Sequence, residues 1–273
     1  MTAGRTRRRA VGRALTIAGS DSGAGAGIQA DLKTFAAHGV YGASVVTALT
    51  AQSTRGVHAI LGVPPPFVRA QLDAVLDDLG ADAVKTGMLL DPRTVVTVAL
   101  VLAAHGTPPL VVDPVMAAKD GATLLSRRAV HALRARLLPL AMVVTPNRDE
   151  AAALTGRRVR DRDDMERAAR ELVVLGARAA VVTGGGPAGE ACDLLVVGDG
   201  RARWLRARRI PGPPPHGTGC TFSAAIAAAL AQGATIEDAV ISAKRYTRAC
   251  IRRARRLGAG HPILGHFGKA WCA

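Results

Sequence analysis

The sequence predicts an α/β protein whose central, mostly parallel sheet is covered by helices on both faces, and three observations carry that prediction. Short apolar runs, each closed by a polar residue or glycine, alternate with amphipathic stretches of helical length from Leu15 to Gly186. Hydrophobic residues make up 49% of the 273 and aromatics only 3%, so small and branched side chains must fill the core, as they do in strands buried on both faces. No long linker interrupts the alternation, so residues 13–273 are expected to form one domain.

Leu15 to Gly19 reads as a buried first strand, followed by a glycine-rich loop from Ser20 to Gly27 and a helix from about Ile28 to His38. Ser44 to Leu49 is the second strand. Pro66 to Leu79 is a helix with Phe67, Ala70, Leu72, Val75 and Leu76 on its apolar side. Ala83 to Met88 ends a third strand, Thr94 to His105 is a helix, and Pro109 to Pro114 is a strand stopped by proline. A helix at Ser126 to Leu137, a strand at Met142 to Asn147, a helix at Asp163 to Leu175 and a strand at Ala179 to Gly186 continue the pattern. Near the C-terminal third, Cys192 to Val197 and Arg201 to Leu205 form a small β-hairpin around Gly198-Asp199-Gly200. Pro211 to Pro215 is then a stiff surface connection. It delivers His216 to Cys220 to a helix with Phe222, Ile226 and Leu230 on its apolar face.

Lys and Arg outnumber Asp and Glu by 36 to 21, a formal charge of +15 that draws in polyanions. The charge concentrates at Arg5 to Arg9, Arg201 to Arg209 and Arg252 to Arg256, where solvated faces or a floppy arm are the plain reading. Residues 1–12 are expected to be a basic, disordered extension. Aromatics interleaved with base-reading side chains are missing, which disfavours nucleic acid as a partner. Cys192, Cys220, Cys250 and Cys272 show neither CxxC nor His-pair spacing, so neither a zinc site nor a disulfide framework is indicated, and a reducing compartment fits. The apolar run Ala14 to Ala18 is too short for a signal peptide or a membrane span, and a cytoplasmic protein is expected.

Ligands of open α/β sheets gather at the carboxyl ends of the strands. Asp21, Gln52, Thr86 with Met88, Asp113, Asn147 with Glu150, and Thr183 with Gly184 to Gly186 follow successive strands here. One such residue is usually a cap or a turn, but six in succession indicate a site. Gly217-Thr218-Gly219-Cys220 places two glycines at a helix start, where free amides and the helix dipole attract anions; a plain N-terminal turn is the alternative. The same dipole would lower the pKa of the Cys220 thiol and make it a base for a substrate hydroxyl, unless Cys220 is merely a small buried residue. Asp113 and Glu150, with Asn147, offer hard oxygens suited to Mg²⁺. The loop Ser20 to Gly27 has neither the Walker A nor the dinucleotide spacing.

Several stretches, in order, resemble one family: LTIAGSDSGAGAGIQAD, KTFAAHGVYGASVVTALTAQST, VKTGML, VVDPVM, LLPLAMVVTPNRDEA, HGTGCTFSAAIAAAL and GHPILGHF. They are similar to the hydroxymethylpyrimidine and phosphomethylpyrimidine kinases of thiamine biosynthesis. The resemblance implies a ribokinase-like α/β/α sandwich that phosphorylates 4-amino-5-hydroxymethyl-2-methylpyrimidine, then its monophosphate, with ATP and Mg²⁺. It implies that Gln52 and Asp31 hold the pyrimidine edge in a pocket lined by Gly19, Ala26, Met88 and Val115. Gly217, Thr218, Gly219 and Cys220 become the anion hole, with Cys220 as base. Asn147, Thr183 and Gly185 face the nucleotide, and Asp113 and Glu150 face the metal.

Three departures stand out: Thr183 where the family commonly has lysine, Pro214-Pro215 where an Asn-Thr pair is usual, and Ala24 in place of a glycine. Lys119, in an expected lid, is a partial replacement for the lost charge. The competing readings are a kinase for another hydroxymethyl heterocycle, pyridoxal-like or a specialised precursor, and a non-catalytic pyrimidine- or nucleotide-binding relative. Relatives often form homodimers, but no interface is legible in these residues.

Overall fold

The computed structural model describes residues 11–117, 121, 124–186 and 189–267. Apart from Val11 and Gly12, the expected N-terminal extension lies outside the described residues, as do Lys119 and Cys272. The chain runs β1 (Arg13–Asp21), α1 (Gly27–Ala37), β2 (Tyr41–Ser53), β3 (Gly56–Gly62), α2 (Pro65–Asp78), β4 (Ala83–Thr86), α3 (Pro92–Ala104) and β5 (Leu110–Val112). It continues through α4 (Arg127–Ala132), extended by a π turn at Leu133–Leu137, then β6 (Val143–Val144), α5 (Arg148–Thr155), α6 (Arg162–Val174) and β7 (Ala179–Gly185). The hairpin β8 (Glu190–Val197) and β9 (Ala202–Arg208) precedes α7 (Thr218–Ala231) and α8 (Ile236–Arg252).

The strands form one nine-stranded sheet in the order β3-β2-β1-β4-β5-β6-β7-β8-β9. Pairing is parallel from β2 through β7 and antiparallel where β3, β8 and β9 complete the edges. Alternate residues of the inner strands enter opposite layers, which explains their unbroken apolar runs. Leu15, Ile17, Val84, Leu110, Val112 and Val144 pack into the layer with α2 to α6. Ala14, Ala83, Val111 and Val143 pack into the layer of α1, α7 and α8. The crossover from β1 to β2 uses the second layer and that from β4 to β5 the first. The direction of winding therefore reverses at β1, opening a crevice between β1 and β4 at the strands' carboxyl rim.

Several details differ from the sequence reading. β2 runs on to Ser53, because the edge strand β3, not anticipated, pairs with its extension. α2 buries Val68, Leu72 and Leu76, while Phe67 and Ala70 face solvent, a rotation of the expected stripe. α5 begins with a reciprocal capping box between Asn147 and Glu150. α8, whose buried Ala239, Val240, Ala243, Thr247 and Cys250 follow helical spacing, was also not anticipated. Among the described residues, no helix is long and apolar enough to cross a membrane.

Candidate active site

The crevice holds a cavity of about 310 Å³ walled by the ends of β1, β2, β4, β5 and β7 and by the start of α7. On its left side lie Gly19, Ala26 and Gln52. A Cβ on Gly19 would fall 2.3 Å from Met88 Cε, so the glycine lets the Met88 side chain lie across the floor. Met88 clusters with Ala48 and Leu124, and Val115 packs against them, which makes an apolar wall.

At the centre, α7 opens towards the cavity. Its N-cap Gly217 has φ 80°, and a Cβ there would lie 1.9 Å from the Gly25 carbonyl oxygen. Only glycine permits that left-handed turn against the first loop. The first intrahelical bond runs from the Thr221 N–H to the Gly217 carbonyl at 2.9 Å, so the amides of Thr218, Gly219 and Cys220 precede it. A side chain caps α3, α4, α5, α6 and α8, whereas none caps α1, α2 or α7. Gly219 is exposed, with no atom within 4 Å of the place its Cβ would take, leaving room over those amides.

Beneath this turn lies a buried charge cluster. Lys85, fully buried on β4, donates to Asp31 Oδ2 at 2.8 Å and Oδ1 at 3.1 Å, and its Nζ is 3.9 Å from Asp113 Oδ2. Thr16 Oγ1 donates to Asp31 Oδ2 at 2.6 Å. Burial alone would discharge Lys85, but Asp31, with Cys220 and Asp113 behind it, overcomes that cost and raises its pKa. Burial pushes the Cys220 thiol up to about 12, helped by Asp113 and Asp31 and opposed chiefly by Lys85. The lowered thiol pKa expected from the helix dipole is corrected: burial, with Asp113 and Asp31, shifts the thiol the other way, towards its neutral form, against Lys85 and the Gly27 amide. Asp31 is corrected too. It does not line the cavity, since its carboxylate faces inward to Lys85 and Thr16.

To the right, Asp113 accepts from Ser223 Oγ at 2.8 Å, which ties β5 to α7. Glu150 accepts from the Asn147 amide at 2.9 Å. Burial, then the nearby Asp113, pushes the Glu150 carboxyl up to about 8, while burial raises Asp113 as well. Two carboxyls raised chiefly by burial, Glu150 also by Asp113 and Asp113 also by Asp31, fit a cation in this cavity. Among the described residues no group of three or more His, Cys, Asp or Glu is placed to hold a metal. Asn147 and Thr183 form a parallel bridge on the same wall. Gly185, expected beside the nucleotide, instead packs against Met165, whose Sδ a Cβ would meet at 2.4 Å. Its neighbour Gly184 donates its N–H to Asp193 Oδ1 at 3.1 Å, and Lys244 holds Asp193 Oδ2 at 2.8 Å.

The first glycine loop folds around Asp21. Its carboxylate accepts from the amides of Gly23, Gly25 and Ala26 at 2.8, 3.0 and 2.8 Å. Burial works to raise this carboxyl, but contact with His216 and these amides holds it below the usual range. Ala24 sits at φ 57°, in the left-handed region that favours glycine. The C-terminal segment laces the two sides together: Pro262 accepts from the His216 N–H at 2.9 Å, and Thr54 accepts from the His261 N–H at 2.8 Å.

Cys220, Gly217, Thr218, Gly219, Gly19, Ala26, Gln52, Met88, Val115, Asn147, Thr183, Asp113 and Glu150 thus line one cavity, and Asp31 and Gly185 do not. Sequence reasoning passed over Lys85, His216 and Ser223. For Lys85 a signal existed, because an ammonium inside the apolar run Ala83-Val84-Lys85 demands a buried counter-charge.

Residues 21–264 match the phosphomethylpyrimidine kinase family. A hydroxymethylpyrimidine/phosphomethylpyrimidine kinase of Rhizobium meliloti is 53% identical over 262 residues, covering 94% of this chain and 98% of that protein. The thiamine biosynthesis bifunctional protein ThiED of Geobacter sulfurreducens is 53% identical over 257 residues, 94% of this chain but 52% of that protein, so the chain spans about half its length. In the solved ADP complex of Bacillus subtilis pyridoxal kinase, 38% identity accompanies a TM-score of 0.86, with 94% of this chain and 98% of that chain covered.

Proposed function

Because the chain belongs to the phosphomethylpyrimidine kinase family, we propose that it transfers the γ-phosphoryl group of ATP to 4-amino-5-hydroxymethyl-2-methylpyrimidine, and then to the monophosphate so formed. One observation carries this reading: the uncapped start of α7, Cys220, and the Gln52–Met88 pocket open into the same cavity. Gln52 has both donor and acceptor to match an aminopyrimidine edge. Met88 and Val115 cover the ring, and Gly19 and Ala26 leave it space.

The amides of Thr218, Gly219 and Cys220 stabilise charge on the migrating group, fixed before reaction and hence free of reorganisation cost. Asp113 and Glu150, with Asn147, hold Mg²⁺, and Thr183 lies on the nucleotide side. When bound, magnesium neutralises phosphate charge. Cys220, having released its own proton to solvent, takes the alcohol proton as the alcohol oxygen bonds to the γ-phosphorus and ADP departs, and Lys85 is the fixed cation that favours the thiolate. In this reading residues 13–273 are the kinase domain, working in the cytoplasm.

The likeness to a pyridoxal kinase supports a second reading, a pyridoxal-like alcohol as acceptor. Purified protein with Mg²⁺, ATP and a panel of hydroxymethyl heterocycles separates the two. Phosphorylation of the pyrimidine with the highest kcat/KM is the expected result. Turnover of pyridoxal alone would move the assignment to the second reading, and calorimetric pyrimidine binding without turnover would make the chain a non-catalytic relative.

A further inference from the structure

Asp21, His216 and Gln52 form one chain of contacts at the cavity rim, and their protons follow from geometry. His216 Nε2 lies 3.2 Å from Asp21 Oδ2 and 2.7 Å from the Gln52 carboxamide. An ionised carboxylate has no proton to give, so the proton between Asp21 and the ring sits on Nε2. The carboxamide atom facing Nε2 must then accept, and only its oxygen can.

Nitrogen and oxygen of a carboxamide are equivalent in shape, so its orientation is decided by its partners. With the nitrogen towards His216, the single hydroxyl proton of Thr50 would be claimed by the Ser20 carbonyl and by Gln52 Oε1, each at 3.0 Å. Turning the carboxamide end for end leaves the Thr50 proton to the Ser20 carbonyl alone and gives the single His216 Nε2–H, shared with Asp21 Oδ2, an accepting oxygen in place of a second donor. Gln52 Oε1 accepts from His216, Gln52 Nε2 donates to Thr50 Oγ1, and Thr50 donates to Ser20. One N–H of Gln52 is left for the cavity.

The ring has little freedom to leave this arrangement. A Cβ on Gly25 would lie 2.7 Å from His216 Cδ2, so the glycine makes room for the imidazole. The His216 backbone bridges Ile263, and Gly260 donates its N–H to Thr54 Oγ1 at 3.1 Å, two residues beyond Gln52. The C-terminal segment thereby fixes His216 relative to Gln52.

We propose that His216 is a positioning residue that locks the Gln52 carboxamide with its nitrogen free to donate, and so selects a heterocycle presenting a lone pair at that point. The naming of that heterocycle as an aminopyrimidine rests on the function proposed above; the proton assignment does not. Nitrogen-15 NMR of the full chain, with His216 assigned by substitution, reads the tautomer without any substrate. A proton on Nε2 supports the lock, and a bare Nε2 overturns it.

Kinetics with the aminopyrimidine alcohol give the second arm. His216→Ala is expected to raise KM for the alcohol roughly three- to tenfold, the worth of one neutral hydrogen bond, with a smaller change in kcat and in KM for ATP. In a Gln52→Ala background the same substitution should add almost nothing, because its effect passes through Gln52. Additive losses, or a loss in kcat alone, overturn the proposal. A native chain inactive on every pyrimidine sinks the proposed function instead, and the NMR result then decides the lock by itself.

Discussion

Raising the pH should accelerate this enzyme steeply if Cys220 is its base. Burial, reinforced by Asp113 and Asp31, takes the thiol to about 12 against the pull of Lys85. At pH 7 only about one site in 10⁵ then carries a thiolate, and each further pH unit multiplies that fraction about tenfold. A base acts only when deprotonated, so kcat/KM for the alcohol should climb with a slope near one from about pH 6.5 to about 9.5, with no plateau. The assay is initial ADP release at saturating Mg²⁺ and ATP and subsaturating alcohol. Cys220→Ala should lower turnover by about 10²- to 10⁴-fold, weaken substrate binding far less, and abolish the slope. A plateau within that range would instead indicate a base other than the Cys220 thiol. The same slope in Cys220→Ala would refute the assignment to sulfur.

Gln52→Ala should raise KM for the pyrimidine more than it lowers kcat in steady-state kinetics; a pure kcat effect would remove Gln52 from recognition. Thr183→Lys restores the charge usual in the family, and ATP turnover should rise; an unchanged rate would show that this site does not need it. Lys85→Met leaves Asp31 and Asp113 buried without their cation, a loss of about 3–5 kcal/mol in urea unfolding. Pairing it with Asp31→Asn should recover part of that loss, and a single variant as stable as the native chain would contradict the buried cluster.

The sheet was legible because the central strands β1, β4, β5, β6 and β7 are mostly buried on both faces, so apolar runs such as Leu110-Val111-Val112 stand out from their flanks. The edge strand β3 was not, because most of its residues face solvent and its apolar run, Ala59-Ile60-Leu61, is short and lies at the open edge. α8 hid for a related reason: its buried stripe is mostly small residues set among Lys244, Arg245 and Arg248. Strand-end residues such as Asp113 and Asn147 were found because polarity changes abruptly at the rim. Asp31 misled because its place on a helix beside the glycine loop does not reveal which way the carboxylate points, and its partner Lys85 lies 54 residues away. The sequence suggested an activated Cys220 from the helix dipole, yet the burial and the neighbouring Asp113 and Asp31 that oppose this come from residues far away in the chain.

The central claim is that the bare amides opening α7 receive the phosphoryl group, and Gly219→Val tests it most directly. No atom lies within 4 Å of the position its Cβ would take, so the side chain should fill the cradle and leave the fold intact. Phosphorus-31 NMR of ATP and the pyrimidine alcohol should show a phosphomonoester forming with the native chain. With Gly219→Val the rate should fall by at least about a hundredfold at an unchanged melting temperature. Equal product formation by the two proteins would contradict the account.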